Sequence, residues 1–116
     1  MPVSVVIVDD HAGFRAAARR LLELEGFEVV GEAADGASGL ALVSELAPEL
    51  VLLDVSLPDA SGFDIAAALA PSEATVVLTS SRGLRDLGRR VERCGAAGFV
   101  PKDRLSGAAL SELLVA

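Results

Sequence analysis

Short apolar runs rich in β-branched residues alternate along the chain with longer stretches in which apolar residues recur every three or four positions. The short runs predict strands at residues 3–8, 28–33, 50–53, 75–79 and 97–100. Helices are predicted at residues 12–25, from after Asp35-Gly36 to just before Pro48, at 62–69, along Leu84, Leu87, Val91 and Cys94, and along Leu110, Leu113 and Leu114. Regular alternation of strand and helix is typical of α/β domains with a parallel sheet.

Acidic residues stand where two of the predicted strands end. Asp9 and Asp10 follow the first strand, and Asp54 follows the third. Because the carboxyl ends of parallel strands meet at one edge of a sheet, we expect the three carboxylates to share the crevice where such sheets place their chemistry. Like charges crowded together are unfavourable unless a cation lies among them. The first hypothesis is therefore a site for a hard cation, Mg²⁺.

Composition narrows the class of protein. The chain has 116 residues, 52% of them hydrophobic, and a net charge of −7, which fits one compact domain. No apolar stretch is long enough to span a bilayer, and a single cysteine, Cys94, favours a reducing cytoplasm. Net acidity disfavours nucleic acid as a direct partner, because affinity for the phosphate backbone comes mainly from clustered Lys and Arg. Lys102 is the one lysine among ten basic residues and stands out for that reason.

Four segments resemble the receiver domain of bacterial two-component response regulators. They are residues 5–11 (VVIVDDH), 52–59 (LLDVSLPD) with Gly62 after it, 77–81 (VLTSS) and 95–103 (GAAGFVPKD). Their order, each at the end of the expected strand, extends the resemblance over essentially the whole chain. It implies a flavodoxin-like (βα)5 fold, with a five-stranded parallel sheet in the order 2-1-3-4-5. Asp103 after the lysine is similar to receivers that precede a helix-turn-helix output domain.

The domain organisation expected from this resemblance is a single receiver over residues 1–116, without an output domain in this chain. Both a stand-alone receiver and an excised one fit the sequence.

The resemblance also implies roles for the strand-end residues. Asp54 would be the nucleophile that takes a phosphoryl group from a histidine kinase or a histidine phosphotransfer protein. The ligands of Mg²⁺ would be Asp9, Asp10, Asp54 and the backbone carbonyl of Ser56. Lys102 would neutralise the phosphoryl oxygens, since phosphoryl transfer depends mainly on positioning and charge neutralisation. Such a domain would promote its own phosphorylation and dephosphorylation without being a conventional enzyme.

A hydroxyl and an aromatic residue form the switch in this family, and both have candidates here. Thr79, Ser80 and Ser81 are adjacent, and spacing from Lys102 selects Ser80, with Thr79 as the alternative. Because successive side chains of a strand point to opposite faces of the sheet, Thr79 is expected on the face opposite to Ser80. The resemblance implies that Ser80 moves towards the phosphoryl group while Phe99 changes rotamer. We interpret Phe99 as the only aromatic residue near the site. It fits the role of an ordinary core aromatic equally well.

The predicted fourth helix is the most basic element of the chain. Its arginines are Arg82, Arg85, Arg89, Arg90 and Arg93. They fit a solvated face, and they also fit a docking surface for an acidic partner or a second receiver. By resemblance, phosphorylation would change the face formed by the fourth helix, the fifth strand and the fifth helix, where a homodimer or an output protein would make contact.

Four other functions fit this sequence less well than a phosphorylated receiver. A pseudo-receiver would bind a partner without phosphorylation, but the complete acidic set and Lys102 argue against it. A small phosphatase with an aspartyl phosphate would need an acid where Ser56 stands. His11 could carry the phosphoryl group, but histidine phosphotransfer domains are helical bundles without this strand pattern. Asp-Asp-His after the first strand also excludes a glycine-rich nucleotide-binding loop.

Overall fold

A computed structural model describes residues 2–81 and 88–114, apart from the side chains at positions 88, 89 and 92. Within these residues, five strands form one parallel sheet in the order β2-β1-β3-β4-β5. The strands are β1 (Ser4–Val8), β2 (Glu28–Ala33), β3 (Leu50–Asp54), β4 (Thr75–Ser80) and β5 (Gly98–Pro101). The predicted flavodoxin-like fold class and its strand order are confirmed.

Helices cover both faces of the sheet. They are α1 (Ala12–Leu24), α2 (Gly36–Leu46), α3 (Gly62–Leu69), α4 (Gly88–Arg93) and α5 (Gly107–Leu114), with a 3₁₀ turn at Lys102–Arg104. Side chains from α1 and α5 pack on one face, against alternate strand residues such as Ile7 and Leu52. Side chains from α2, α3 and α4 pack on the other face, against residues such as Val6 and Leu53. Both faces are therefore buried, which explains why the strands are apolar almost throughout.

Several element boundaries differ from the predictions by one residue. β3 extends to Asp54, whose partner in the sheet register is Thr79, and β5 runs from Gly98 to Pro101 instead of 97–100. Backbone hydrogen bonds decide these ends, whereas the prediction used the apolar pattern alone. The short α3 of 8 residues agrees with the predicted two turns.

Part of the predicted fourth helix lies outside the described residues, including Leu84, Leu87, Arg82 and Arg85. Val91 and Cys94, the described members of its predicted apolar face, are both buried. None of the described helices has the length and apolar character needed to cross a membrane.

The loop after β3 folds back on itself before α3 begins. The Val55 N–H donates to the Thr79 carbonyl oxygen at 3.0 Å, and the Gly62 N–H donates to the Val55 carbonyl oxygen at 2.8 Å. A Cβ atom at Gly62 would collide with the backbone carbonyl oxygen of Asp54 and with Val55 Cα. The approach of α3 to the end of β3 thus requires glycine at this position.

Candidate functional site

The carboxyl ends of β1 and β3 bring three aspartates to one point of the sheet edge. Asp9 is only 1% exposed and Asp54 only 3%, while Asp10 is exposed. The imidazole of His11 joins them, and one potential ligand atom from each of the four residues lies within 4.8 Å of all the others. Such an arrangement of carboxylates is unfavourable without a compensating positive charge.

Asp9 is held in place by residues at the start of α1. The His11 backbone N–H donates to Asp9 Oδ1 at 2.8 Å, and the Arg15 guanidinium donates to the Asp9 backbone carbonyl oxygen at 2.6 Å. The Asp9 N–H donates to the Ala33 carbonyl oxygen at 2.9 Å, which ties it to β2. Asp9 Oδ2 is buried and has no hydrogen-bond partner of suitable geometry among the described residues. That oxygen instead faces the Lys102 ammonium, with 2.7 Å between Oδ2 and Nζ.

Lys102 supplies the positive charge at this point. Its side chain is 14% exposed, and its Nζ also lies 3.4 Å from Asp54 Oδ2. The ammonium is positioned over the ring of Phe14, 4.5 Å from the ring centroid, where the ring face attracts a cation. The interpretation of Phe99 as the only aromatic residue near the site is therefore wrong. Phe14 lies in the first predicted helix, and the apolar pattern alone gave no sign of its contact with Lys102.

The environment of Asp54 disfavours its charged form. Burial raises the pKa of the Asp54 carboxyl most strongly, and the nearby Asp9 carboxylate raises it further. The Ser56 N–H, which donates to Asp54 Oδ1 at 3.2 Å, and the Lys102 ammonium both lower the pKa but do not outweigh burial. An ionised Asp54 is thus destabilising until further positive charge reaches it.

This raised pKa predicts a pH-dependent effect of Asp54→Asn on stability. In the unfolded chain the Asp54 carboxyl has the ordinary aspartate pKa of 3.8, and the folded protein binds the proton more tightly. The native state therefore loses stability as pH rises through the folded pKa of Asp54, and asparagine escapes this loss. Urea unfolding with EDTA should show Asp54→Asn more stable than the parent at pH 7, with a smaller difference at pH 4. An equal difference at both pH values would contradict the prediction.

The two candidate hydroxyls point to opposite faces of the sheet. Ser80 is the last residue of β4 and is 3% exposed. It lies on the same face of the sheet as Leu78 and as Phe99, which is the register partner of Leu78 on β5. Thr79 is fully buried on the other face, and its Oγ1 has no hydrogen-bond partner among the described residues. Ser80 stays the predicted switch hydroxyl because it ends the strand, and Thr79 stays the alternative because it is the register partner of Asp54.

The aromatic and basic candidates around this edge are placed as follows. Phe99 is half-buried and packs against the core on the α3 and α4 side. Arg90 and Arg93 are exposed, and the Arg90 guanidinium lies over the ring of Phe63, 4.2 Å from its centroid. Arg90 thereby connects α4 to the first turn of α3. The side chain of Arg89 lies outside the described part of the structure.

Comparison with known proteins identifies the family. The family model for the response regulator receiver domain matches residues 5–113, and the chain belongs to this family. The virulence regulator BvgA of Bordetella pertussis is 41% identical over 102 residues, covering 84% of this chain and 48% of BvgA. The nitrate/nitrite response regulator NarP of Escherichia coli is 41% identical over 106 residues, covering 88% of this chain and 49% of NarP. The chain therefore spans about half the length of these curated relatives.

Solved structures agree with this assignment. The signal receiver domain of the response regulator NarL from Mycobacterium tuberculosis superposes with a TM-score of 0.87 at 35% identity, covering 97% of this chain and 96% of that one. A two-component response regulator of the LuxR family from Aurantimonas superposes with a TM-score of 0.88 at 27% identity, covering 99% of this chain and 86% of that one. The predicted resemblance to bacterial receivers is confirmed.

Proposed function

We propose that this chain is a phosphorylatable receiver in which Asp54 accepts a phosphoryl group from a histidine kinase or a histidine phosphotransfer protein. The observation that carries the proposal is the position of Asp54, buried at the end of β3 beside the Asp9 carboxylate, with the Lys102 ammonium in contact with both carboxylates. Membership of the receiver family supports it further. The domain would act in the cytoplasm.

The residues at the site fit a hard divalent cation. Carboxylate oxygens are the ligands that Mg²⁺ prefers, and Asp9, Asp10 and Asp54 offer them at one point. Asp9 Oδ2 is buried and has no hydrogen bond among the described residues, where the Lys102 ammonium is the one positive charge facing it, so this oxygen is suited to a cation. The backbone carbonyl of Ser56 would be a further ligand. Bound Mg²⁺ would supply charge neutralisation for the phosphoryl oxygens during transfer.

The transfer step needs little from the protein beyond position and charge. A carboxylate oxygen of Asp54 would attack phosphorus, the new O–P bond would form as the P–N bond to the donor histidine breaks, and the donor imidazole would leave with the electron pair. Lys102 would exchange its contact with Asp9 Oδ2 for the oxygens of the phosphoryl group. The Ser56 N–H, which already donates to Asp54 Oδ1, would hold that carboxylate in orientation during the attack.

The signal would pass from Asp54 through the switch residues on β4 and β5 to the protein surface. Ser80 and Phe99 lie on one face of the sheet, on the neighbouring strands β4 and β5. A movement of Ser80 towards the phosphoryl group would therefore open space for Phe99. The surface of α4, β5 and α5 would then change shape and contact a second receiver or an output protein. BvgA is described as a transcription regulator, which makes transcriptional control a candidate output of a longer protein with this receiver.

The test of this function is intact mass after incubation with acetyl phosphate, with and without Mg²⁺. We expect one phosphoryl group on the parent only with Mg²⁺, and none on Asp54→Asn, because an amide oxygen cannot replace the attacking carboxylate. Asp59→Asn is the matched control: it removes an exposed aspartate from the same loop and should leave the mass gain intact.

Other results of this experiment would favour the alternatives. No mass gain on the parent would favour the pseudo-receiver. A label on Asp54→Asn that is lost in acid but survives base would move the acceptor to His11.

A further inference from the structure

His11 belongs to the group of potential ligands at the sheet edge, although neither the proposed function nor the sequence prediction uses it there. Its Nδ1 lies 2.9 Å from Asp9 Oδ1, 3.1 Å from Asp10 Oδ1 and 3.8 Å from Asp54 Oδ2. The imidazole is 64% exposed, so an ion arriving from solvent can reach it. One nitrogen thus faces an oxygen from each of the three aspartates.

Asp9, Asp54 and His11 already surround one positive charge in this structure, the ammonium of Lys102. Lys102 Nζ lies 2.7 Å from Asp9 Oδ2, 3.4 Å from Asp54 Oδ2 and 3.4 Å from His11 Nδ1. Asp9 Oδ2, in a residue that is 99% buried, has no hydrogen-bond partner of suitable geometry among the described residues. The ammonium therefore occupies a position where two carboxylates and an imidazole can contact the same positive ion.

We infer that His11 Nδ1 is a metal ligand, and that this site accepts a borderline divalent ion such as Zn²⁺ in preference to Mg²⁺ when both are present. Carboxylates alone suit Mg²⁺, whereas imidazole nitrogen is a ligand of Zn²⁺ and related transition ions and contributes little to Mg²⁺. In the neutral ring, the hydrogen would reside on Nε2, and the ion would take the position between Nδ1 and the carboxylates. The inference rests on the proposed function only in one respect: the three aspartates proposed to hold Mg²⁺ would also hold this ion.

The consequence is a second mode of occupancy at the phosphorylation site. An ion held by His11 and the aspartates would compete with Mg²⁺ for the same carboxylates. Transition-ion availability would then influence how readily Asp54 is phosphorylated.

Isothermal titration of the untagged full chain with Zn²⁺ and with Mg²⁺ tests this inference on three proteins: the parent, His11→Gln and Asp10→Ala. His11→Gln should weaken Zn²⁺ binding by about tenfold or more, since even outer-shell changes cost about 10- to 100-fold in affinity. Its Mg²⁺ affinity should stay within about twofold of the parent, because Mg²⁺ relies on oxygen ligands. Asp10→Ala should weaken both ions, which identifies the carboxylate as shared.

A spectroscopic signature separates ligation from a change in local structure. His11 is the only histidine, so its two imidazole ¹⁵N resonances are unambiguous, and Zn²⁺ should shift that of Nδ1 far more than Mg²⁺ does. Cys94, the only thiol, is buried beside α4 and offers no competing site at the sheet edge.

Three results would decide against the inference. They are equal Zn²⁺ affinity in the parent and His11→Gln, equal losses for Zn²⁺ and Mg²⁺ in that variant, and an unshifted Nδ1 resonance. The failure of the proposed function would look different: the parent would gain no phosphoryl group with Mg²⁺, whatever His11 does with Zn²⁺.

Discussion

Gly62→Ala is expected to lower the free energy of unfolding by about 3 kcal/mol and to slow phosphorylation of Asp54, because backbone atoms occupy the place of the new methyl group. The atoms in its way are the carbonyl oxygen of Asp54 and Val55 Cα, which no change of rotamer can move. The chain must therefore shift where α3 meets the end of β3. Because Asp54 is at that end, the shift would also displace the predicted nucleophile from Asp9 and Lys102.

Urea unfolding and the rate of phosphorylation by acetyl phosphate measure the two effects of Gly62→Ala. Gly13→Ala is the matched control, since a Cβ at this exposed position of α1 meets nothing within 4 Å. Alanine there should leave stability unchanged or raise it by up to about 1 kcal/mol, because glycine is unfavourable in helices. If both variants unfold at the same urea concentration as the parent, the close approach of α3 to β3 is not required.

The fold followed from the sequence because local pattern and global topology agree in this chain. Apolar β-branched runs predicted all five strands, and their spacing left room for one helix between each pair. The predicted meeting of Asp9, Asp10 and Asp54 needed only the rule that parallel strands end at the same edge. Strand ends were less accurate, as at Asp54 itself, because hydrogen bonds to a neighbouring strand determine them.

Contacts that depend on the rotation of a helix about its axis were not predictable from the pattern of apolar residues. Phe14 reaches Lys102, and Arg15 reaches the backbone of Asp9, because α1 presents this side to the sheet edge. The same orientation brings the His11 ring to the aspartates. Helical periodicity identified the apolar side of α1, but the positions of neighbouring side chains relative to other strands are fixed only by packing.

A contact between the loop after β3 and the start of α2 was missed for the same reason. Asp59, in the loop after β3, accepts hydrogen bonds from the N–H groups of Gly36 and Ala37 at 2.7 and 3.0 Å. These bonds lower the pKa of the Asp59 carboxyl and satisfy the first turn of α2. The sequence signal for a helix start was nearby at Asp35, which also caps α2 through Ser38 N–H. Nothing in the spacing indicated a second cap from residues more than 20 positions away.

Lys102→Ala is expected to slow phosphorylation of Asp54 on the order of a hundredfold, because the proposed charge partner of the phosphoryl oxygens is lost. Arg104→Ala is the matched control: it removes a positive charge from the same 3₁₀ turn at an exposed position and should leave the rate unchanged. A rate in Lys102→Ala equal to that of the parent would exclude Lys102 from the reaction.

Ser80→Ala should separate acceptance of the phosphoryl group from the response to it. Ser80 is placed on the face shared with Phe99, so its loss should leave Asp54 able to react while the movement towards the phosphoryl group disappears. Amide chemical shifts with and without beryllofluoride, a stable phosphoryl mimic, report both events. In the parent, Gly88–Arg93 of α4 and Phe99 should shift together with residues around Asp54, whereas in Ser80→Ala only the latter should shift.

Thr79→Val is the control for Ser80→Ala, because it removes the neighbouring hydroxyl from the opposite face with little change in volume. It should retain the shifts of Phe99 and α4 if Ser80 is the switch. A loss of these shifts in Thr79→Val but not in Ser80→Ala would assign the switch to Thr79. If α4 and Phe99 stay unmoved in the parent itself, the mimic acts only locally, and the route from Asp54 through Ser80 to the surface of α4, β5 and α5 does not operate.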